Sequence, residues 1–257
     1  MQRKTVLLLA LIAYSIMMSM ALSMFGANTW LTLFVMVVSP TLLMWHFANL
    51  KAKSLPWLAL GAVAFALLIS AVAYVNGIWF EISSTDVRLV GLLPLEAFVA
   101  AFVHILFYVT AYEYFFDDSE NSGVMHHTNA YLVGVMGIFA IALGYLYLFS
   151  HIIVSYAFAW IIFALLLLGG YGVLLLFTKR RILLTRALKF SVAMVPISLA
   201  YEWVALSNNL RFFANPNEYL FSFTVFGQLV PLEELLFVLL IPAIVALFYE
   251  LFFDDAG

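Results

Sequence analysis

Cysteine is absent from the 257 residues, which excludes a disulfide framework, a thiolate nucleophile, an iron–sulfur cluster and a cysteine-based zinc site. Charge is nearly as scarce: Asp, Glu, Lys and Arg make up 10% of the chain, against about 25% in soluble domains. That leaves too little polar surface for a water-soluble globule. The net charge of −3 gives no basic patch to expect a nucleic-acid partner from. Helical His-x-x-x-His spacing is missing, and His126-His127 beside Asp117, Asp118 and Glu120 form a weak metal motif, so no metal is expected. No glycine-rich dinucleotide fingerprint joins a strand to a helix, so no cofactor is expected either.

What is present is apolar. Hydrophobic residues make up 66% of the sequence, in recurrent runs of about 20 residues, the length a bilayer core demands. Spans are predicted near Thr5–Phe25, Thr29–Leu50, Leu55–Ile78, Leu92–Phe116, Asn129–Phe149, Ile152–Phe177, Ala187–Leu206 and Gln228–Phe253. The expected fold class is therefore all-α: a polytopic transmembrane helical bundle of about eight spans. The first run, although Ala21-Leu22-Ser23 follows it, is longer than a usual signal-peptide core and reads as a retained helix. Arg3, Lys4, Lys51, Lys53, Lys179, Arg180, Arg181, Arg186 and Lys189 fall on one side of such a bundle, with Arg88 and Arg211 opposite. A multi-pass cell-membrane protein with both termini cytoplasmic is expected.

The chain also repeats itself. Pro94-Leu95-Glu96 recurs as Pro231-Leu232-Glu233, and Tyr112-Glu113-Tyr114-Phe115-Phe116-Asp117-Asp118 as Tyr249-Glu250-Leu251-Phe252-Phe253-Asp254-Asp255. The offset is constant at 137 residues (94 to 231, 117 to 254), and Leu92–Asp118 matches Leu229–Asp255 at ten of 27 positions without a gap. From proline to the second phenylalanine each copy spans about 35 Å as a helix, one crossing. Three spans separate the copies, so two parallel internal repeats are expected, in halves 1–128 and 129–257, with a site at their interface.

Ionisable groups inside spans cost several kcal/mol and usually face a cavity. Glu96, Glu202, Glu233 and Glu234, with Asn76, Asn208 and Asn209, are predicted in the outer half of the bilayer. An ordinary helix start also places proline first and acids in the first turn. Glu233 and Glu234 point about 100° apart on a helix, so one pocket for both needs a third element, and Glu202 is the candidate. Two carboxyls sharing a site would hold one proton between them and form an acid/base pair. His104, near mid-membrane, reads either as a hydrogen-bonded core histidine or as a relay beside the pocket. The Tyr-Glu-x-Phe-Phe-Asp-Asp ends read as interfacial anchors.

At Pro231-Leu232-Glu233-Glu234-Leu235-Leu236-Phe237, with Ile241-Pro242 and Tyr249-Glu250 downstream and Glu202 and Ala214-Asn215-Pro216-Asn217-Glu218-Tyr219-Leu220 upstream, the chain resembles the membrane-embedded lycopene cyclase family of paired or fused half-proteins. The resemblance covers roughly residues 195–255 closely and 65–118 loosely. It implies cyclisation of a ψ-end of lycopene into a β-ionone ring without net redox, with lycopene and the lipid bilayer as partners. Protonation of the terminal alkene, attack by the next alkene and loss of a ring proton fit paired carboxyls. Glu233 and Glu234 are the acid and base candidates and Glu202 tunes them, while Glu96 is the first-copy counterpart. Trp203, Phe237, Asn208, Asn209, Trp79 and His104 are the candidate substrate-binding residues. In the first copy Ala97 and Phe65 stand where the second has Glu234 and Glu202, so the second copy is expected to carry the chemistry. Alternatives are a carotenoid end-group hydratase, in which water captures the same cation, and a non-enzymatic transporter or assembly subunit. A retinal protein would need a mid-span lysine in the last two helices, and an intramembrane CAAX-type protease an arginine after Glu233-Glu234.

Overall fold

The computed structural model describes residues 2–48, 79–82, 84–85, 87–89, 93–117, 181–213 and 219–250. The order of elements there is α1 (Gln2–Met24), α2 (Thr29–Trp45), β1 (Trp79–Glu81), β2 (Arg88–Leu89), β3 (Leu93–Pro94), α3 (Leu95–Phe115), α4 (Arg181–Ser207), β4 (Arg211–Phe213), β5 (Ser222–Val225), β6 (Gln228–Pro231) and α5 (Leu232–Tyr249). Helices α1, α3, α4 and α5 are long and apolar enough to cross a membrane. Each lies close to a predicted span, although α4 begins six residues before the expected Ala187 and α5 begins after a strand. The expected spans Leu55–Ile78, Asn129–Phe149 and Ile152–Phe177 lie outside the described residues.

Local chemistry accounts for the helix shapes. In α2, Pro40 has no N–H to donate and its ring crowds the preceding turn. The chain widens there into a π-helical turn, Phe34–Val38, and the Val35 carbonyl in that turn accepts from Tyr14 of α1 at 2.9 Å. Pro242 lies inside α5 and likewise has no N–H to donate, and Ser191 of α4 donates to the Leu239 carbonyl one turn before it. The hydroxyls of Ser15 and Thr110 turn back on their own helices, to the Leu11 and Leu106 carbonyls, as suits an apolar surrounding. Along α1, Val6, Leu9, Met17 and Met20 are exposed, a surface suited to hydrocarbon.

Helix α4 is central, packing most extensively on α5 and next on α1. Phe190, Met194 and Val204 of α4 form the core with Val109 and Tyr112 of α3 and Ala246, Leu247 and Tyr249 of α5. Tyr108 of α3 hydrogen-bonds Ser198 of α4 at 2.9 Å. At one end of the bundle Lys4 donates to the Asp117 carbonyl and Tyr112 donates to Glu250, the residue that caps α5. Helices α3 and α5 both begin at the opposite end and so run parallel.

The duplicated tyrosines depart from expectation. Tyr112 and Tyr249 are core residues rather than interfacial anchors, and Glu250 is buried with them. The cause is the Tyr112–Glu250 bond, which draws both polar groups between helices. Tyr112→Phe would leave a buried carboxylate oxygen without that donor. It is expected to cost about 2 kcal/mol, read as an earlier thermal transition in detergent; an unchanged transition would rule the bond out as a support.

At the end where α3 and α5 begin, the described residues form three two-stranded antiparallel ladders that hydropathy alone does not announce: β1 with β4, β2 with β3 and β5 with β6. The β5–β6 turn consists of Phe226 and Gly227, both at positive φ (53° and 76°), the arrangement that a two-residue hairpin turn of right-handed twist requires. Glycine adopts it freely and phenylalanine rarely does, and Phe226 packs edge-on against Trp203 of α4.

A candidate acid site where two helices begin

Pro94 and Pro231 each stand just ahead of the first helical residue, with fixed φ and no N–H to leave unpaired. This places Glu96 and Glu233 at the second position of α3 and α5, where the helix dipole favours negative charge. Both are buried, only 1% exposed. Each carboxylate reaches back out of its helix to the loop before it. Glu96 Oε1 accepts from the backbone N–H groups of Ser84 (2.9 Å) and Thr85 (2.8 Å) and from both hydroxyls (3.0 Å each). Glu233 Oε1 accepts from the Leu220 N–H at 2.7 Å. The two acids then differ: four donors converge on one Glu96 oxygen, whereas Glu233 Oε2 is buried and finds no hydrogen-bond partner among the described residues.

Glu234, one residue on, points elsewhere. Its Oε1 accepts from Arg211 Nη1 at 3.1 Å, and the same nitrogen donates to Glu202 Oε1 at 2.9 Å. Arg211 sits on β4, just past the end of α4, so one guanidinium ties the last turns of α4 to the first turn of α5. All three side chains are largely buried. The β1–β4 register also sets Glu81 opposite Arg211. Helices α4 and α5 thus bring Glu202, Glu233 and Glu234 to one end of the bundle. Glu96 caps α3 at that same end.

Arg211 is the residue that the sequence reading missed as a site member. The available signal was scarcity: of 11 basic residues, the expected eight-span topology puts only Arg88 and Arg211 on the acid side. Ser84 and Thr85 carried no signal, because donors in a loop have no periodicity.

The other candidates have varied surroundings. His104 donates from Nδ1 to the Ala100 carbonyl at 2.7 Å and meets Tyr201, the neighbour of Glu202 in sequence, edge-on at 4.6 Å. Trp203 is half exposed and, with Phe226, forms an aromatic wall, while Phe237 packs on the core. Asn208 donates its amide to the Leu22 (3.1 Å) and Ala27 (3.0 Å) carbonyls, closing the end of α1. Asn209, at φ 54°, accepts from Gln228 at 2.8 Å and holds the β5–β6 hairpin to α4. Trp79 lies on β1 opposite Phe213. Asn76, Phe65, His126 and His127 lie outside the described residues. Among the described residues no group of His, Asp and Glu could hold a metal ion.

Chemically, the arrangement is a buried carboxyl, one oxygen of which has no partner among the described residues, at the same end of an apolar bundle as a carboxylate–guanidinium–carboxylate trio. Such a site can give a proton to a substrate, take one back and balance a positive charge between the two events. No family model matches the chain, and neither curated proteins nor solved structures include a match to it.

Proposed function

We propose that this chain is a membrane-embedded lycopene β-cyclase, which closes a ψ-end of lycopene into a β-ionone ring by acid catalysis without redox change. The observation that carries the reading is the placement of Glu202, Glu233 and Glu234 at one buried end of an apolar bundle, with Glu202 and Glu234 joined through Arg211 and Glu233 Oε2 without a partner among the described residues. Glu233 delivers a proton to the terminal alkene, the neighbouring alkene attacks the tertiary cation, and Glu234 removes a ring proton. Trp203 and Phe226 form a wall against which a cation is stabilised by aromatic faces. A long polyene reaches this site sideways from lipid.

Membranes containing the chain, given lycopene in deuterated buffer, are expected to yield a cyclised product with one solvent deuterium on the new ring. Hydroxylated end-groups would replace the cyclase by the hydratase, and unchanged lycopene would end both readings.

The same reading takes the bundle as two parallel repeats of an eight-span protein of the cell membrane. Exchanging the copies by 137 residues turns the Tyr112–Glu250 bond into Tyr249 with Glu113, the same two residue types. An axis along the membrane normal between the copies has this property. The Lys4 and Lys189 end faces the cytoplasm in this reading; a reporter fused ahead of α1 is expected to be active only inside, and activity outside would invert the topology.

A further inference from the structure

Two carboxylates reach one nitrogen of Arg211, so their bonded oxygens are at most about 6 Å apart, the two bonds placed end to end. In a largely buried setting like charges that close repel strongly unless a cation lies between them. Arg211 is that cation. Its planar group also fixes where the two oxygens point, which a flexible ammonium would not. Glu233 stands apart from this trio, turned toward the Leu220 N–H. A carboxylic acid accepts through its carbonyl oxygen and donates through its hydroxyl oxygen. The Leu220 bond occupies Oε1 and leaves Oε2, the oxygen without a partner among the described residues, to act as the donor.

The internal repeat supplies a second, independent observation. At the offset of 137, Glu202, Arg211 and Glu234 correspond to Phe65, Tyr74 and Ala97, whereas Glu233 corresponds to Glu96. The three members of the ion cluster are present together in one copy and replaced together in the other, as parts of a single device would be.

We propose that Arg211 is the positioning residue of the site: it holds Glu202 and Glu234 as a fixed carboxylate pair and so assigns proton delivery to Glu233 and proton removal to Glu234. This rests on the acid–base reading above. The trio carries one net negative charge, equal and opposite to the single positive charge of a cationic intermediate. The Glu233 O–H bond breaks as a C–H bond forms on the terminal alkene, and the second alkene supplies the electrons of the new C–C bond. Glu234 takes the ring proton, whose C–H electrons become the ring double bond. That proton returns to Glu233, so the cycle needs no further reactant.

The test uses the full chain in lipid nanodiscs, comparing wild type, Arg211→Met, Arg211→Lys and the double variant Arg211→Met/Glu234→Gln. Infrared spectroscopy reads the C=O stretch of neutral carboxyls, and product per folded molecule is followed in parallel. Arg211→Met is expected to bring up a neutral-carboxyl band that the double variant lacks, and to lower kcat roughly 100-fold through misplacement of the acids with little change in KM. Arg211→Lys keeps the charge and is expected to suppress the new band and recover part of the rate. A wild-type rate and spectrum in Arg211→Met overturns the proposal. If Arg211→Met does not fold, Arg211→Lys decides: a lowered kcat supports positioning, and a wild-type kcat overturns it. If wild type forms no cyclised product while the bands behave as stated, the cyclase reading falls and the carboxylate clamp stands.

Discussion

Glu233→Gln is expected to lower the yield of cyclised product roughly 10²- to 10⁴-fold per folded molecule, the range typical of a removed general acid. Glutamine keeps the size of the side chain and a carbonyl oxygen for the Leu220 N–H, so the helix start and the fold should survive. What it lacks is a transferable proton at the oxygen facing away from that bond. Glu234→Gln should fall in the same range through loss of the base, while still offering Arg211 an oxygen. Glu96→Gln should lose far less, since in the structure that side chain gathers loop donors at a helix start. Product per folded membrane protein, measured beside a thermal transition in detergent, separates chemistry from folding. The assignment is reversed if Glu96→Gln abolishes activity while Glu233→Gln and Glu234→Gln stay near wild type.

Glu96→Leu should act on stability instead. Its Oε1 collects two backbone N–H groups and two hydroxyls from Ser84 and Thr85, and leucine would satisfy none of them. The hydroxyls lie toward the surface and can turn elsewhere, but the two N–H groups are fixed by the loop. A loss of about 3 kcal/mol is expected, since hydrogen bonds to a charged acceptor contribute about 1.5–3 kcal/mol each and part is regained from solvent. The reading is a lower midpoint for unfolding in mixed micelles, together with faster proteolysis of the loop before α3. Glu96→Gln keeps an acceptor and should lose less than half as much. Equal stability of Glu96→Leu and wild type would show that the four bonds add nothing.

The two copies of Pro-Leu-Glu were legible in sequence as helix starts, because proline and an acid at the first turn suit unpaired N–H groups and the helix dipole whatever lies around them. Their different fates were not legible. Ser84 and Thr85 precede Glu96 by about a dozen residues, and only the turn of the chain brings their donors to it. The β5–β6 hairpin was equally hidden, since Phe226-Gly227 is a weaker turn signal than Asn-Gly. The duplicated Tyr-Glu ends gave a reasonable interfacial reading from composition, yet burial between α3 and α5 depends on which face of each helix meets its neighbour.

The sequence by itself determined the apolar helices, their approximate limits and the four glutamates placed toward one end. The physical reason is that transfer into hydrocarbon depends on the composition of a run of residues, and that information is local. Only the tertiary structure decided that Arg211 joins Glu202 to Glu234, that Asn208 closes α1 and that Glu233 turns one oxygen to the Leu220 N–H. These are pairings between elements 9 to 186 residues apart, selected by the direction in which each helix turns its side chains when it packs. Hydropathy carries depth along the membrane normal but no azimuth about the helix axis, and a catalytic arrangement is a matter of azimuth.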